Sequence, residues 1–219
     1  MTIVAVDGPV GSGKSTVARR VARRLGYVYL DTGAMYRAVG LLATESGARL
    51  DDEDAVVAVA RGARLRFDAE GRLFAGERDL SAAIRSLEIG AAASRVSALP
   101  GVRRLLVDEQ RALAADADIV MEGRDIGTNV FPGAEVKVFL TARPEIRAAR
   151  RTAELRAQGE DVLESQVLAA LLERDRRDST RAVAPLLKAA DAEEVDTSEM
   201  ALDQVVDAVV AVVDGKVGS

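Results

Sequence analysis

The sequence predicts an α/β protein: a parallel five-stranded sheet with helices on both faces, interrupted by a small antiparallel β insert. Three observations carry this prediction. An apolar, β-branched run at residues 2–6 leads into a glycine-rich turn and then into apolar residues at helical spacing. Short apolar runs alternate with helical stretches along most of the 219 residues, as in a sheet buried under crossover helices. Between Arg64 and Leu80 the texture changes to short alternating runs joined by turn residues.

Thr2–Val6 reads as a buried strand, and Val17, Val21 and Leu25 recur every four residues in the helix after it. Tyr27–Leu30 is a second short strand ending at Asp31-Thr32-Gly33. The stretch Ala34–Thr44 is helical, with Met35, Val39 and Leu42 on one side and Thr32 placed to cap it. Asp51–Asp54 puts acids at the start of another helix, where the dipole favours them. Arg64–Phe67, Arg72–Ala75 and Arg78–Leu80 form the insert, joined by a turn at Asp68-Ala69-Glu70-Gly71 and a two-residue hairpin at Gly76-Glu77. Ser86–Leu99 is helical, and Pro100 begins a helix running to about Ala115. Asp118–Glu122 is a strand that ends in Gly123–Thr128, and Val136–Leu140 is a further strand. Pro144 opens an arginine-rich helix that Gly159 interrupts; helix returns from about Glu164 to Asp178. Val195 belongs to a last strand ending at Asp196-Thr197-Ser198, and Ala201–Val213 closes the chain as a helix.

Composition limits the chemistry. With 48% hydrophobic and 30% charged residues the chain is an ordinary globular protein, and its net charge of −5 argues against a non-specific nucleic-acid binder. Lysine stands only at 14, 137, 188 and 216, so every other basic residue is arginine. Arginine is the better fork for phosphate, but a GC-rich genome gives the same bias, so only positions carry weight. There is no cysteine and no histidine, which excludes disulfides, zinc sites of the usual kind, thiol nucleophiles and imidazole bases. No signal peptide is expected before the first strand, and no apolar run approaches the ~20 residues of a membrane span. A cytoplasmic location without nucleic-acid or membrane partners is therefore expected.

After Asp7, the segment Gly8-Pro9-Val10-Gly11-Ser12-Gly13-Lys14-Ser15-Thr16 matches G-x-x-x-x-G-K-[ST]. Strand, glycine-rich turn and helix are the context this motif needs, and they predict a P-loop NTPase type of sheet that binds a nucleoside triphosphate. The glycines point successive N–H groups into one concavity for phosphate oxygens, and the helix start adds to that field. Lys14 then reaches the β- and γ-phosphates, and the Ser15 hydroxyl is placed to ligate Mg²⁺. None of the four lysines sits in the [NT]-K-x-D context that reads guanine.

A kinase needs a second, acceptor site at the carboxyl ends of the strands. Three groups propose one. Thr32, Tyr36 and Arg37 open a helix at a strand end, although a plain strand–turn–helix gives the same pattern. Arg124 and Asp125 follow an apolar strand, where Arg124 suits an anion and Asp125 a base amino group; a turn with a surface ion pair is the alternative. Arg174, Asp178 and Arg181 are spaced i, i+4, i+7 on one helical face, provided the helix extends that far. Arg147, Arg150 and Arg151 share another face by the same rule. Both sets suit a guanidinium cluster over a transferring phosphoryl group, and both also suit a solvated helix surface.

Taken together, Asp7–Thr16, Leu30–Tyr36 (LDTGAMY), Glu122–Thr128 (EGRDIGT) and Glu173–Pro185 (ERDRRDSTRAVAP) resemble the bacterial cytidylate (CMP) kinases, from about Ile3 to the last helix. The last two segments are far more specific than the phosphate loop. The resemblance implies transfer of the ATP γ-phosphoryl group to CMP or dCMP with Mg²⁺. It implies that Thr32, Tyr36, Arg37, Arg124 and Arg181 hold the acceptor phosphate, that Ser94, Arg103 and Asp125 read cytosine, and that Arg174 and Asp178 hold the sugar. Arg147 and Arg151 fall on the lid side over ATP, so Lys14, Arg124, Arg147, Arg151, Arg174 and Arg181 form the catalytic set. Glu122 would hold the Mg²⁺ shell through water. The expected organisation is one monomeric kinase chain: a core of residues 1–32, 101–150 and 183–219, a monophosphate-binding domain with the β insert at 33–100, and a lid with flanking helices at 151–182. A hydroxyl-acceptor small-molecule kinase and a nucleotide-binding switch without transfer remain as alternatives.

Overall fold

The computed structural model describes residues 1–68 and 70–218. Ala69, in the predicted 68–71 turn, and Ser219, at the end of the predicted 183–219 core segment, lie outside the described residues. In chain order the elements are β1 (Ile3–Asp7), α1 (Lys14–Leu25), β2 (Val28–Asp31), α2 (Thr32–Glu45), α3 (Glu53–Ala63), β3 (Leu65–Phe67), β4 (Leu73–Ala75) and β5 (Arg78–Asp79). After a 3₁₀ turn at Ala83–Arg85 come α4 (Leu87–Val96), α5 (Pro100–Leu113) and β6 (Ile119–Glu122). A π-helical turn at Ile126–Val130 precedes β7 (Val136–Thr141), α6 (Pro144–Ala157), α7 (Glu164–Thr180), β8 (Glu193–Asp196) and α8 (Leu202–Val217). The strands form a five-stranded parallel sheet in the order β2-β6-β1-β7-β8 and a separate three-stranded antiparallel sheet in the order β3-β4-β5, the predicted architecture.

The chain divides into two compact units: Met1–Leu30 with Asp116–Ser219, and Asp31–Ala115. In the first, β1 is central, pairing parallel with β6 on one side and β7 on the other. Val4 and Val6, with Val120, Val136, Val138 and Leu140, form one apolar face. Val17 and Val21 of α1 and the valine-rich stripe of α8 (Val205, Val206, Val209, Val213) pack on it. Burying such side chains is worth about 1.5–3 kcal/mol each, so this face anchors the strand from which the phosphate loop departs.

In the second unit α2 is the axle. Met35, Tyr36, Val39 and Ala43 meet Val56 and Ala60 of α3, Ala93 and Val96 of α4, and Val102 and Leu106 of α5. Its other side, Ala34, Ala38 and Leu41, meets Leu73 of β4, Leu80, Ile84 and Ile89. The close α2–α4 crossing depends on Gly40, where a Cβ would lie 3.0 Å from the backbone nitrogen of Ala93. Among the described residues no helix is long and apolar enough to cross a membrane.

Candidate functional site

The phosphate loop spans Gly8–Thr16, between β1 and the first turn of α1. Gly8 has φ +148°, and a Cβ there would sit 2.0 Å from the Leu140 carbonyl oxygen, so only glycine lets the loop leave between β1 and β7. Lys14 is buried, and its ammonium donates to the Pro9 carbonyl at 2.6 Å and to Ser12 Oγ at 3.4 Å. Burial, with the nearby Arg124 and Arg174 charges, pushes its pKa well below the ordinary lysine value, against the opposing pull of Glu122 and Asp7. Ser15 and Thr16 are exposed at the start of α1.

The turn after β6 supplies the second part of this unit's site. Gly123 N–H donates to the Val6 carbonyl at 3.0 Å, extending the β1–β6 ladder. Buried Glu122 accepts the Tyr29 hydroxyl at 2.5 Å. Buried Asp178 lies between two arginines, with Arg124 Nε at 3.4 Å and Arg174 Nε at 3.7 Å. Asp125 faces Arg181 at 3.3 Å and accepts from Asn129 Nδ2 at 3.1 Å. Arg181 departs from the helical face expected for it. α7 ends at Thr180 and Arg181 is already extended (φ −63°, ψ 143°), so it leaves the face that Arg174 and Asp178 share. Its Nε turns to the Ala184 carbonyl, and its guanidinium reaches Asp125 from the chain after the helix.

The α6 arginines separate. Arg147 is buried; it donates to the Ala142 carbonyl at 2.9 Å and the Val10 carbonyl at 3.1 Å, and pairs with Asp175 of α7. Its main chain presses on Gly11, where a Cβ would meet the Arg147 carbonyl at 3.0 Å. Arg151 pairs one turn on with Glu154 at 3.0 Å. Arg150, grouped with them by spacing, instead donates to the Thr197 hydroxyl and carbonyl at 2.8 and 2.7 Å. It is held at the last-strand turn by these partners, which lie beside its part of α6.

The second unit carries the other predicted residues. Thr32 is the first helical residue of α2 and buried, and the cap is Asp31, whose carboxylate accepts the Ala34 amide at 2.9 Å. The expected Thr32 cap is thus replaced by its neighbour, whose extended backbone (φ −92°, ψ 93°) suits the capping position. Asp31 also holds Arg37 at 2.7 Å. Burial raises its pKa, but the Arg37 charge and the Ala34 amide outweigh burial and hold it below the ordinary value. Buried Arg103 places its guanidinium 5.6 Å from the centre of the Tyr36 ring and donates to the Ser97 carbonyl at 3.4 Å. Ser94 is buried on α4.

Asp7, Asp31, Asp175 and Thr197 are neighbours of the candidate residues to which the sequence assigns no site role, although the first three lie inside the quoted segments. Asp7 had a signal: one acid closing an apolar strand, which burial tolerates only with partners. Asp31, beside a glycine at a helix start, had the ordinary capping signal. For Asp175 and Thr197 nothing in the sequence named the partners, Arg147 and Arg150, which are distant along the chain.

A family model described as cytidylate kinase matches residues 4–215. The chain is 50% identical over 212 residues to the cytidylate kinase of Pelotomaculum thermopropionicum, covering 95% of this chain and 94% of the relative. It is 46% identical over 219 residues to that of Lactiplantibacillus plantarum, covering 99% of this chain and 96% of the relative. Among solved structures, a gluconokinase from Sinorhizobium meliloti 1021 aligns with TM-score 0.50 at 18% identity, over 99% of this chain and 94% of its own, a likeness of fold.

Proposed function

The chain belongs to the cytidylate kinase family, and from that premise we propose that it moves the γ-phosphoryl group of ATP onto CMP and dCMP, giving the diphosphate and ADP. It is a phosphotransferase enzyme that uses ATP. The observation that carries the acceptor reading is the Arg124–Asp178–Arg174 cluster near Lys14: two guanidiniums beside the ammonium of a phosphate loop suit a second anion next to the first.

The acceptor's phosphate is already an anion at neutral pH, so its oxygen attacks without surrendering a proton and no general base is needed. What the chain must supply is alignment and charge neutralisation. Lys14 and the loop amides of Gly8–Thr16 hold the donor phosphates. Arg124 and Arg181, with Thr32, Tyr36 and Arg37, hold the acceptor phosphate; Arg174 and Asp178 hold its sugar. Arg147 and Arg151 cover the donor side. Asp125, with Ser94 and Arg103, reads cytosine: a carboxylate accepts from the N4 amino group and repels the O4 that uracil carries there.

Mg²⁺ fits the oxygen donors present, the exposed Ser15 hydroxyl and, through water, the buried Glu122 carboxylate. Among the described residues there is no cluster of three or more His, Cys, Asp or Glu that could hold a metal ion. When bound, the ion neutralises charge on the β- and γ-oxygens. We further propose a monomeric, cytoplasmic enzyme with neither nucleic-acid nor membrane partners. Its core comprises residues 1–32, 101–150 and 183–219, its monophosphate-binding domain 33–100, and its lid with flanking helices 151–182.

A coupled ADP-release assay across all ribo- and deoxynucleoside monophosphates tests the reading. CMP and dCMP should give the highest kcat/KM. Turnover with a sugar or shikimate-like alcohol but not CMP would replace it with a hydroxyl-acceptor kinase. Slow ATP hydrolysis indifferent to CMP would replace it with a switch.

A further inference from the structure

Asp7 closes β1 one residue before the phosphate loop, yet its side chain serves the neighbouring turn. Oδ1 accepts the Ile126 amide at 2.9 Å and Oδ2 accepts the Gly127 amide at 2.8 Å. The carboxylate is 5% exposed, so these bonds are made away from competing water. Two consecutive N–H groups on the two oxygens of one carboxylate fix both the position and the rotation of that peptide pair. Neither oxygen can follow one amide without leaving the other.

The backbone ladder hands over at this point. Gly123 N–H is held by the Val6 carbonyl, and one residue further along β1 the side chain of Asp7 takes the place of a strand. The seat is tight as well: a Cβ at Gly127 would lie 3.1 Å from Lys137 Cδ and 3.5 Å from Asp7 Oδ2. Arg124 and Asp125 lie between the Gly123 and Ile126 anchors. Asp125 in turn takes Asn129 Nδ2 and faces Arg181.

We infer that Asp7 is a positioning residue for acceptor selectivity: through the Ile126 and Gly127 amides it sets where Arg124 and Asp125 stand. The inference rests on the proposed roles of Arg124 in phosphate binding and Asp125 in reading cytosine. Asp7→Asn keeps the shape but leaves one oxygen, turning an NH₂ group against one of the two N–H donors. The turn must then shift or lose a bond, and Asp125 moves with it. The damage should fall on acceptor choice rather than on ATP.

Steady-state kinetics of the wild type, Asp7→Asn and Asp7→Ala, with ATP, CMP and UMP each varied, test this. The CMP-over-UMP ratio of kcat/KM should fall about tenfold or more in Asp7→Asn, given the cost of small misplacements, while KM for ATP holds. An unchanged ratio in a wild type that prefers CMP, or a loss confined to KM for ATP, overturns the inference alone. A wild type inactive on CMP overturns the functional reading and this inference together. Should both variants fail to fold, amide hydrogen exchange on the wild type decides. Protection of Ile126 and Gly127 matching the β1 ladder supports the anchor, and exchange at exposed-loop rates overturns it.

Discussion

Arg150 grips Thr197 at two points, donating to its hydroxyl at 2.8 Å and its carbonyl at 2.7 Å, and the Thr197 hydroxyl lies 3.4 Å from the Ser12 carbonyl of the phosphate loop. A helix residue thus steadies the last-strand turn, and that turn steadies the loop. Arg150→Ala removes two charge-assisted bonds to a buried partner, each worth about 1.5–3 kcal/mol. It should lower the melting temperature and raise KM for ATP more than KM for CMP; equal shifts in both constants would contradict the link.

Lys14 is a buried cation whose charge is disfavoured by burial and by the Arg124 and Arg174 charges, which offsets its bonds to the Pro9 carbonyl and the Ser12 hydroxyl, so removing it costs the fold little. Lys14→Ala should lower kcat by at least about 10²–10³ through loss of phosphate stabilisation, with a melting temperature near the wild-type value. Near-normal turnover in a coupled assay would reject its role.

Asp125→Ala should reduce the CMP-over-UMP ratio of kcat/KM by about tenfold or more, the worth of a buried hydrogen bond to a charged group. ATP binding should change less. A ratio equal to wild type would remove Asp125 from cytosine reading.

Asp7 gives stability a particular pH dependence. Burial, aided by Asp125, lifts its pKa from 3.8 to about 6, against the Gly127 and Ile126 amides and Lys14. The folded chain therefore keeps this proton where the unfolded chain has lost it. The contribution is full below the unfolded value and is lost as pH rises through the folded value. From pH ~3.5 to ~7 this amounts to about 3 kcal/mol lost. Urea unfolding of wild type and Asp7→Asn across that range should show the difference between them shifting in favour of the variant as pH rises. A flat difference would refute the perturbed carboxyl.

The segment between α6 and α7 carries Gly159 at φ +86° and flanking arginines, the proposed lid. Protease cleavage between residues 158 and 163 should slow when ATP and CMP are both present. Cutting at the same rate with and without substrates would argue against closure.

The strands and α-helices were legible because they announce themselves locally, whereas the short turns at Ala83–Arg85 and Ile126–Val130 did not. Val17, Val21 and Leu25 mark α1, Pro100 and Pro144 open their helices at the first turn, and Gly76-Glu77 makes the β4–β5 hairpin. The phosphate loop was legible for the same reason, being one contiguous motif. Side-chain direction was less so. Arg147 and Arg150 lie one turn apart, yet one meets Val10 and Asp175 and the other Thr197, partners that spacing along α6 cannot reveal. Arg181 reaches Asp125 because the helix stops before it, and a helix end depends on the chain just beyond it, here the positive-φ Ala184 turn. Asp31 displaced Thr32 as the cap because either residue satisfies the pattern and only the backbone angles choose.

Each guanidinium in Arg37, Arg124, Arg174 and Arg181 already rests against a carboxylate, of Asp31, Asp178 or Asp125. If Arg124 and Arg181 hold the acceptor phosphate as proposed, it would have to outbid Asp178 and Asp125, which a phosphate dianion should do better than chloride or a carboxylic acid. In the proposed acceptor role, Arg124 and Arg181 would therefore stay quiet in the salt and acid background of a cell. On that proposed role, replacing the phosphate of a substrate analogue by a monovalent isostere should forfeit much of its grip; a competition series of sulfonate against phosphonate analogues would measure how much.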